Sequence, residues 1–319
     1  MGPIVQRRFD LVMEIGAFTI EESAIPLRQP HLFLTLRPWI DVGSVGTRSL
    51  NFVEQYLESE SLGRFDKPGE FYDFTRYRPQ LRRVAGERQI DLPNTTIRCA
   101  KGPGTHDFIL VHALEPHNQA ERFIESLIEL ITTREISRYI QIGSMYGSSP
   151  HTRPLAVTGQ ATEKTVQDQL DGLMTIRPSR YEGPTSIIAL LTERLQSLNV
   201  DTLSMMVQLP PYIGLEEDRK GQETVLKLLN VLYKFSYDLS DVHRQGNMQY
   251  KEIEKAVEAD PQTREMVQRL EETYDAGNAA NSSGDSDLEE APLSLEVEQF
   301  LKGLEQTRGE DDDTQSPKV

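Results

Sequence analysis

Between His31 and Tyr237 the chain alternates short apolar runs with longer stretches of helical period. His31–Leu36, Asp107–Leu114, Arg138–Gly143 and Thr202–Leu209 are rich in Leu, Ile and Val and are bounded by Gly, Pro or charged residues, so each reads as a strand. Elsewhere apolar residues recur three and four apart, as at Leu50, Val53 and Leu57, at Phe123, Leu127 and Ile131, and at Val225, Leu228, Leu229 and Leu232. The spacing predicts helices over Thr47–Leu57, Glu163–Leu173, Thr185–Leu198 and Gln222–Tyr237, and one that follows Asn118 as its N-cap. Shorter strands are expected at Phe71–Tyr77, Gln89–Leu92, Thr95–Ala100 and Leu155–Gly159. Strands alternating with helices imply parallel pairing with both sheet faces covered. The runs on either side of the loop Ser144–Pro154 have no helix between them, which calls for at least one antiparallel pair. The expected fold is a three-layer α/β/α sandwich with a mixed, mostly parallel sheet.

Outside that region the pattern changes. Residues 1–30 show no clear period, and residues 31–241 hold the α/β/α core. Residues 242–274 read as a charged helical pair broken at Asp260-Pro261, an appendage on the surface. Residues 275–319 carry twelve Asp and Glu against three Lys and Arg, so this segment contributes -9 of the chain's net -16. Its Gly, Asn, Ser and acid content predicts disorder. Within it, residues 293–304 place Leu293, Val297, Phe300, Leu301 and Leu304 on one helical face. Such a helix either docks on its own chain or binds a partner.

Composition removes several classes of function. An acidic body argues against nucleic acid, whose phosphates need clustered Lys and Arg. The single cysteine, Cys99, excludes a disulfide framework and a thiolate metal cage, and its strand context makes it a small buried hydrophobe. No run of about 18 apolar residues is present, which points away from a membrane and to the cytoplasm.

In an open α/β sheet, loops at the carboxyl ends of parallel strands converge on one crevice. Four junctions qualify: Trp39 and Asp41 through Gly43 to Gly46, Glu115-Pro-His117, Met145-Tyr-Gly147, and Tyr181-Glu182-Gly183. The sequence has no P-loop, no Gly-x-Gly-x-x-Gly and no Gly-x-Ser-x-Gly elbow, and it names neither a catalytic set nor a cofactor. His112, Glu115 and His117 do not fit a zinc spacing. Gly43 and Gly46 read as a tight strand-to-helix packing device. His151 and Arg153 lie on a loop stiffened by Pro150 and Pro154. An Arg153–Glu182 pair would lock two neighbouring loops, because guanidinium and carboxylate bond bidentately.

Pro150-His-Thr-Arg-Pro154, Val157-Thr-Gly159, Tyr181-Glu-Gly-Pro-Thr-Ser-Ile187 and Leu209-Pro-Pro-Tyr-Ile213 together resemble the bacterial, actinobacterial-like branch of the proteasome assembly chaperone (PAC2) family. Trp39-Ile-Asp-Val-Gly43, Tyr72-Asp-Phe74, Arg78-Pro79 and Glu115-Pro116 match further blocks of that branch in the same order. The resemblance implies a phosphorylase/hydrolase-like α/β/α fold, homo-oligomers, and a non-enzymatic role in holding other proteins during assembly. Family members that engage proteasome rings carry a C-terminal hydrophobic-Tyr-X tail. This sequence ends Ser316-Pro-Lys-Val319, so the resemblance does not extend to direct proteasome docking. The alternative reading is a small-ligand-binding protein or hydrolase/ligase-type enzyme that uses the crevice.

Overall fold

The computed structural model describes residues 12–21, 26–176 and 185–283. In chain order the strands are β1 Val12–Ile15, β2 Phe18–Glu21, β3 His31–Arg37, β4 Glu60–Phe65, β5 Gln80–Val84, β6 Glu87–Asp91, β7 Thr96–Ala100, β8 Phe108–Leu114, β9 Arg138–Tyr146, β10 Val157–Gly159, β11 Thr175–Ile176 and β12 Asp201–Leu209. The helices are α1 Val45–Tyr56, α2 Ala120–Thr133, α3 Lys164–Leu170, α4 Ile187–Ser197, α5 Arg219–Tyr233, α6 Ser240–Ala259 and α7 Pro261–Ser283.

Ten strands form one sheet in the order β1-β2-β4-β7-β8-β3-β9-β12-β10-β11. Its centre, β8-β3-β9-β12, is parallel throughout. β3 and β8 are buried on both faces, which is why they read as continuous apolar runs, whereas β9 and β12 mix buried with partly exposed positions. β1, β2, β4, β7 and β8 pair antiparallel, and so do β12 and β10. Among the described residues the sheet is therefore mixed, parallel at its centre and again between β10 and β11 at one edge. The antiparallel pair required by the Ser144–Pro154 loop is present, but with β12 standing between β9 and β10.

Successive residues of β3 point to opposite faces and feed two cores. Leu32, Leu34 and Leu36 meet Phe123 and Leu127 of α2 and Leu191 of α4 on one side. Phe33, Ile140 and Ile142 meet Val45 and Leu50 of α1 and Val225 and Leu229 of α5 on the other. Burying each such side chain stabilises the fold by about 1.5–3 kcal/mol. α6 packs on the outside of α5, and α7 folds back after Asp260.

Four local expectations are corrected. The segment before Pro30, which shows no period, contains the β1–β2 hairpin, turned at Gly16-Ala17. Phe71–Tyr77 is a turn: Phe71 and Tyr72 are neighbours yet both enter the same core, which the two-residue alternation of a strand forbids. β9 continues past Gly143 to Tyr146 because β12 pairs with it along its whole length. α2 begins after Gln119, in a left-handed conformation without a side-chain cap, while the N–H groups of His117 and Asn118 donate to the Phe71 carbonyl.

Candidate functional site

The junctions at Trp39–Gly46, Glu115–His117 and Met145–Gly147 follow β3, β8 and β9, so they stand side by side at the carboxyl ends of three adjacent parallel strands. Tyr181, Glu182 and Gly183 lie outside the described residues, as does the segment holding Leu293, Val297, Phe300, Leu301 and Leu304.

Trp39 is exposed at the rim, and Met145 is exposed on the neighbouring strand end. Asp41 is buried. Its Oδ1 accepts from the N–H groups of Gly46 (2.7 Å) and Thr47 (3.2 Å), and its Oδ2 accepts from Thr47 Oγ1 (2.5 Å). The carboxylate thus closes the amino end of α1 from within its own loop. Burial pushes its pKa up despite these three donors. A Cβ at Gly46 would sit 2.2 Å from Thr35 Oγ1, so only glycine lets α1 lie this close to β3. Gly43 takes φ +60° where the loop passes Asp218, and its carbonyl accepts from the Asp218 N–H at 2.8 Å. Asp218, also buried, caps α5 through Gly221 N (2.8 Å) and receives the Tyr250 hydroxyl of α6 (2.9 Å).

Glu115 donates its N–H to the Arg37 carbonyl, and partial burial raises its carboxyl pKa. His117 accepts the Asp73 N–H at Nδ1 (3.2 Å) beside the ring of Tyr77, with centroids 4.5 Å apart. His112 is a buried histidine bonded through Nε2 to Glu54 of α1 at 2.8 Å. Among the described residues no group of three His, Cys, Asp or Glu side chains could hold a metal ion. No described helix is long and apolar enough to cross a membrane.

The loop carrying His151 and Arg153 has partners that the sequence reading did not name. Arg153 holds Asp275 of α7 through two parallel bonds of 3.0 and 2.9 Å and reaches Glu271 at 3.1 Å. Thr152 Oγ1 also donates to Glu271, and Tyr274 donates to the Pro154 carbonyl at 2.9 Å. Tyr212, just beyond β12, accepts the His151 N–H at 2.9 Å and shares a hydrogen bond of 2.7 Å with its Nδ1. His151 Nε2 is screened from water and has no hydrogen-bond partner. Burial lowers the His151 pKa, while Glu254 and Glu271 pull it the other way. Burial likewise pushes the Tyr212 hydroxyl up to about 12. The signal for this clasp was the run of acids on α7, which in isolation looks like a solvated helix face.

A fold with these layers, and a rim loop whose arginine pairs with acids of α7, define a three-layer α/β/α protein that clasps its own C-terminal helices. A model described as the PAC2 family matches residues 35–257, and the chain belongs to that family. It is similar to a PAC2 family protein from Streptomyces avermitilis, 23% identical, with a TM-score of 0.67 over 75% of this chain and 99% of that one. It is also similar to a proteasome-assembly chaperone homologue from Mycobacterium tuberculosis, 21% identical, with a TM-score of 0.65 over 74% of this chain and 99% of that one. A Mycobacterium tuberculosis protein of unknown function is 21% identical, with a TM-score of 0.73 over 88% of this chain and 95% of that one. At these identities the likeness is one of fold. Among curated proteins nothing matches the chain.

Proposed function

We propose that this chain is a non-enzymatic, protein-binding assembly factor of chaperone type, working in the cytoplasm as a homo-oligomer on a client not yet identified. The observation that carries this reading is the β5–β6 arm. The two strands form a sheet of their own, apart from the ten-stranded one. Leu81 pairs across the arm with Ile90, and these are 56% and 63% exposed, with Val84 at 54%. A lone two-stranded hairpin is marginal in water and needs a further apolar surface to rest on. A second protein chain supplies that surface. Membership of the PAC2 family, which includes a Mycobacterium tuberculosis protein described as a proteasome-assembly chaperone homologue, supports the same reading.

Light scattering tests the oligomer: Leu81→Asp with Ile90→Asp should reduce the mass to that of a single chain while circular dichroism is unchanged. An unaltered mass would refute the role of the arm. We assign residues 293–304 as a second contact. Pulldown from native lysate should recover a specific protein that is lost when this segment is deleted, and recovery of the same protein by the deleted chain would refute that contact.

One observation favours a small-ligand-binding protein or hydrolase/ligase-type enzyme instead. Arg37 Nε and Thr35 Oγ1, on the rim strand β3, are buried without hydrogen-bond partners. A thermal-shift screen of nucleotides and nucleosides separates the readings. A shift that Arg37→Ala abolishes without unfolding the chain would favour the rival.

A further inference from the structure

At the opposite end of the same strands, where β3, β9 and β12 begin, lies a polar cleft of about 540 Å³. Arg134, the residue that closes α2, and Arg138, the first of β9, both line it. Three of their nitrogens, Nε and Nη2 of Arg134 and Nε of Arg138, are screened from water and have no acceptor. A charged donor left buried and unpaired costs more than a typical hydrogen bond contributes. Nε and Nη2 form one edge of a guanidinium, the edge that takes two carboxylate oxygens side by side.

The other walls limit what can enter. Arg138 gives Nη2 to Glu163, whose carboxylate also accepts from Thr165. His31 is buried, bonds Tyr233 Oη through Nδ1 at 2.7 Å and stacks on His106 with centroids 4.0 Å apart. Burial, with His106 and Arg138 beside it, lowers its pKa to about 3, so at neutral pH it brings no charge. Glu135 and Asp201 complete the lining, which sets two positive groups against three negative ones, a formal -1. A dianion such as phosphate meets net repulsion there. A carboxylate carried with an ammonium group does not, because Glu135 and Asp201 can accept from the ammonium.

We propose that this cleft binds a small zwitterion of the amino-acid type, its carboxylate on the Nε/Nη2 edge of Arg134 and its ammonium toward Glu135 and Asp201. Pairing that edge requires the Arg134 side chain to turn toward the cleft, out of an arrangement in which its donors have no partner. This site is independent of the arm and of the rim clasp.

Isothermal titration of the full chain with each proteinogenic amino acid in turn, and with inorganic phosphate, tests the proposal. At least one amino acid should saturate the chain and phosphate should not. Arg134→Gln should weaken that binding about tenfold or more, as expected for loss of a charged bidentate pair. Should Arg134→Gln fail to fold, Arg134→Lys keeps the charge, loses the edge and should show the same loss. Binding by no amino acid, equal binding of phosphate, or undiminished binding by the arginine variant would each overturn the proposal.

Discussion

Two loops at the carboxyl ends of β3 and β9 are both held by carboxylates, and they are held in opposite ways. In the loop after β3, the carboxylate is the loop's own Asp41, buried and spent on the N–H groups of Gly46 and Thr47 and on the Thr47 hydroxyl. In the loop after β9, the carboxylates belong to Glu271 and Asp275, more than a hundred residues away, and they meet a cation on side chains that water still reaches. The first arrangement satisfies backbone donors that would otherwise be buried and unpaired. The second joins two finished pieces of structure. A fold keeps the first kind of contact as long as it exists, whereas the second can open and close while the fold persists.

The sharpest way to break this contrast is to remove each carboxylate contact and ask how much of the molecule responds. Asp41→Ala leaves two N–H groups at the start of α1 without an acceptor, and should cost about 2–4 kcal/mol by urea unfolding. High salt should not change that figure, since the lost bonds are short and shielded. A stability near wild type would mean that the carboxylate is not the loop's fastening. The Asp218–Tyr250 bond is an intermediate case, buried like the first but joining helices like the second. Tyr250→Phe should cost about 1–2 kcal/mol, because it strands one carboxylate oxygen while keeping the ring packed.

Acid sharpens the comparison further. The folded pKa of His151 lies below its ordinary 6.5, chiefly through burial, so the unfolded chain takes up the proton more readily. The stability this histidine lends the fold is complete above pH 6.5 and falls away as pH drops through the window between 6.5 and its lowered folded pKa. Asp41 and Asp218 shift the other way: burial raises both, so acid does not cost the fold their contribution over that window. Hydrogen exchange should therefore show the His151 amide, which donates to Tyr212, losing protection as pH falls below 6.5, with α1 unchanged. His151→Gln should remove the pH dependence. Equal loss at both places would dissolve the distinction.

How much of this was legible in the sequence depended on whether the information was local. β3 and β8 were readable because a strand covered on both faces is apolar nearly throughout, and β9 and β12 because enough of their positions are buried and apolar. β4 and β5 were not, since Glu60-Ser-Leu-Gly-Arg-Phe65 and Gln80-Leu-Arg-Arg-Val84 are flank and arm strands with polar residues turned to water. The aromatic run at Phe71 looked like a strand because aromatic residues favour strands, but here it is a turn in which Phe71 stacks on Phe65 at 4.2 Å. At the rim, the polar residues of the Asp41 loop could be chosen from the sequence, since their partners lie within six positions. The partners of Arg153 could not. Its expected companion Glu182 lies outside the described residues, and the acids it holds sit on a helix whose sequence carries no mark of what it faces.

The smallest effect on overall stability, and the most informative, is expected from Arg153→Ala. Its side chain is 33% exposed and that of Asp275 is 55% exposed, so solvent screens much of their attraction. Exposed pairs of this kind barely alter the unfolding midpoint. The consequence should be local, because α7 packs against α6 and is joined to the β9 loop by Arg153, Thr152 and the Tyr274 hydroxyl. The variant should unfold in urea near wild type, yet residues 261–277 should exchange their amide hydrogens several-fold faster. High salt should reproduce that change in the unmodified chain and add little to the variant, because both act on the same charges. If the variant instead loses global stability as Asp41→Ala does, the clasp is part of the core of the fold and the two loops are held by one principle.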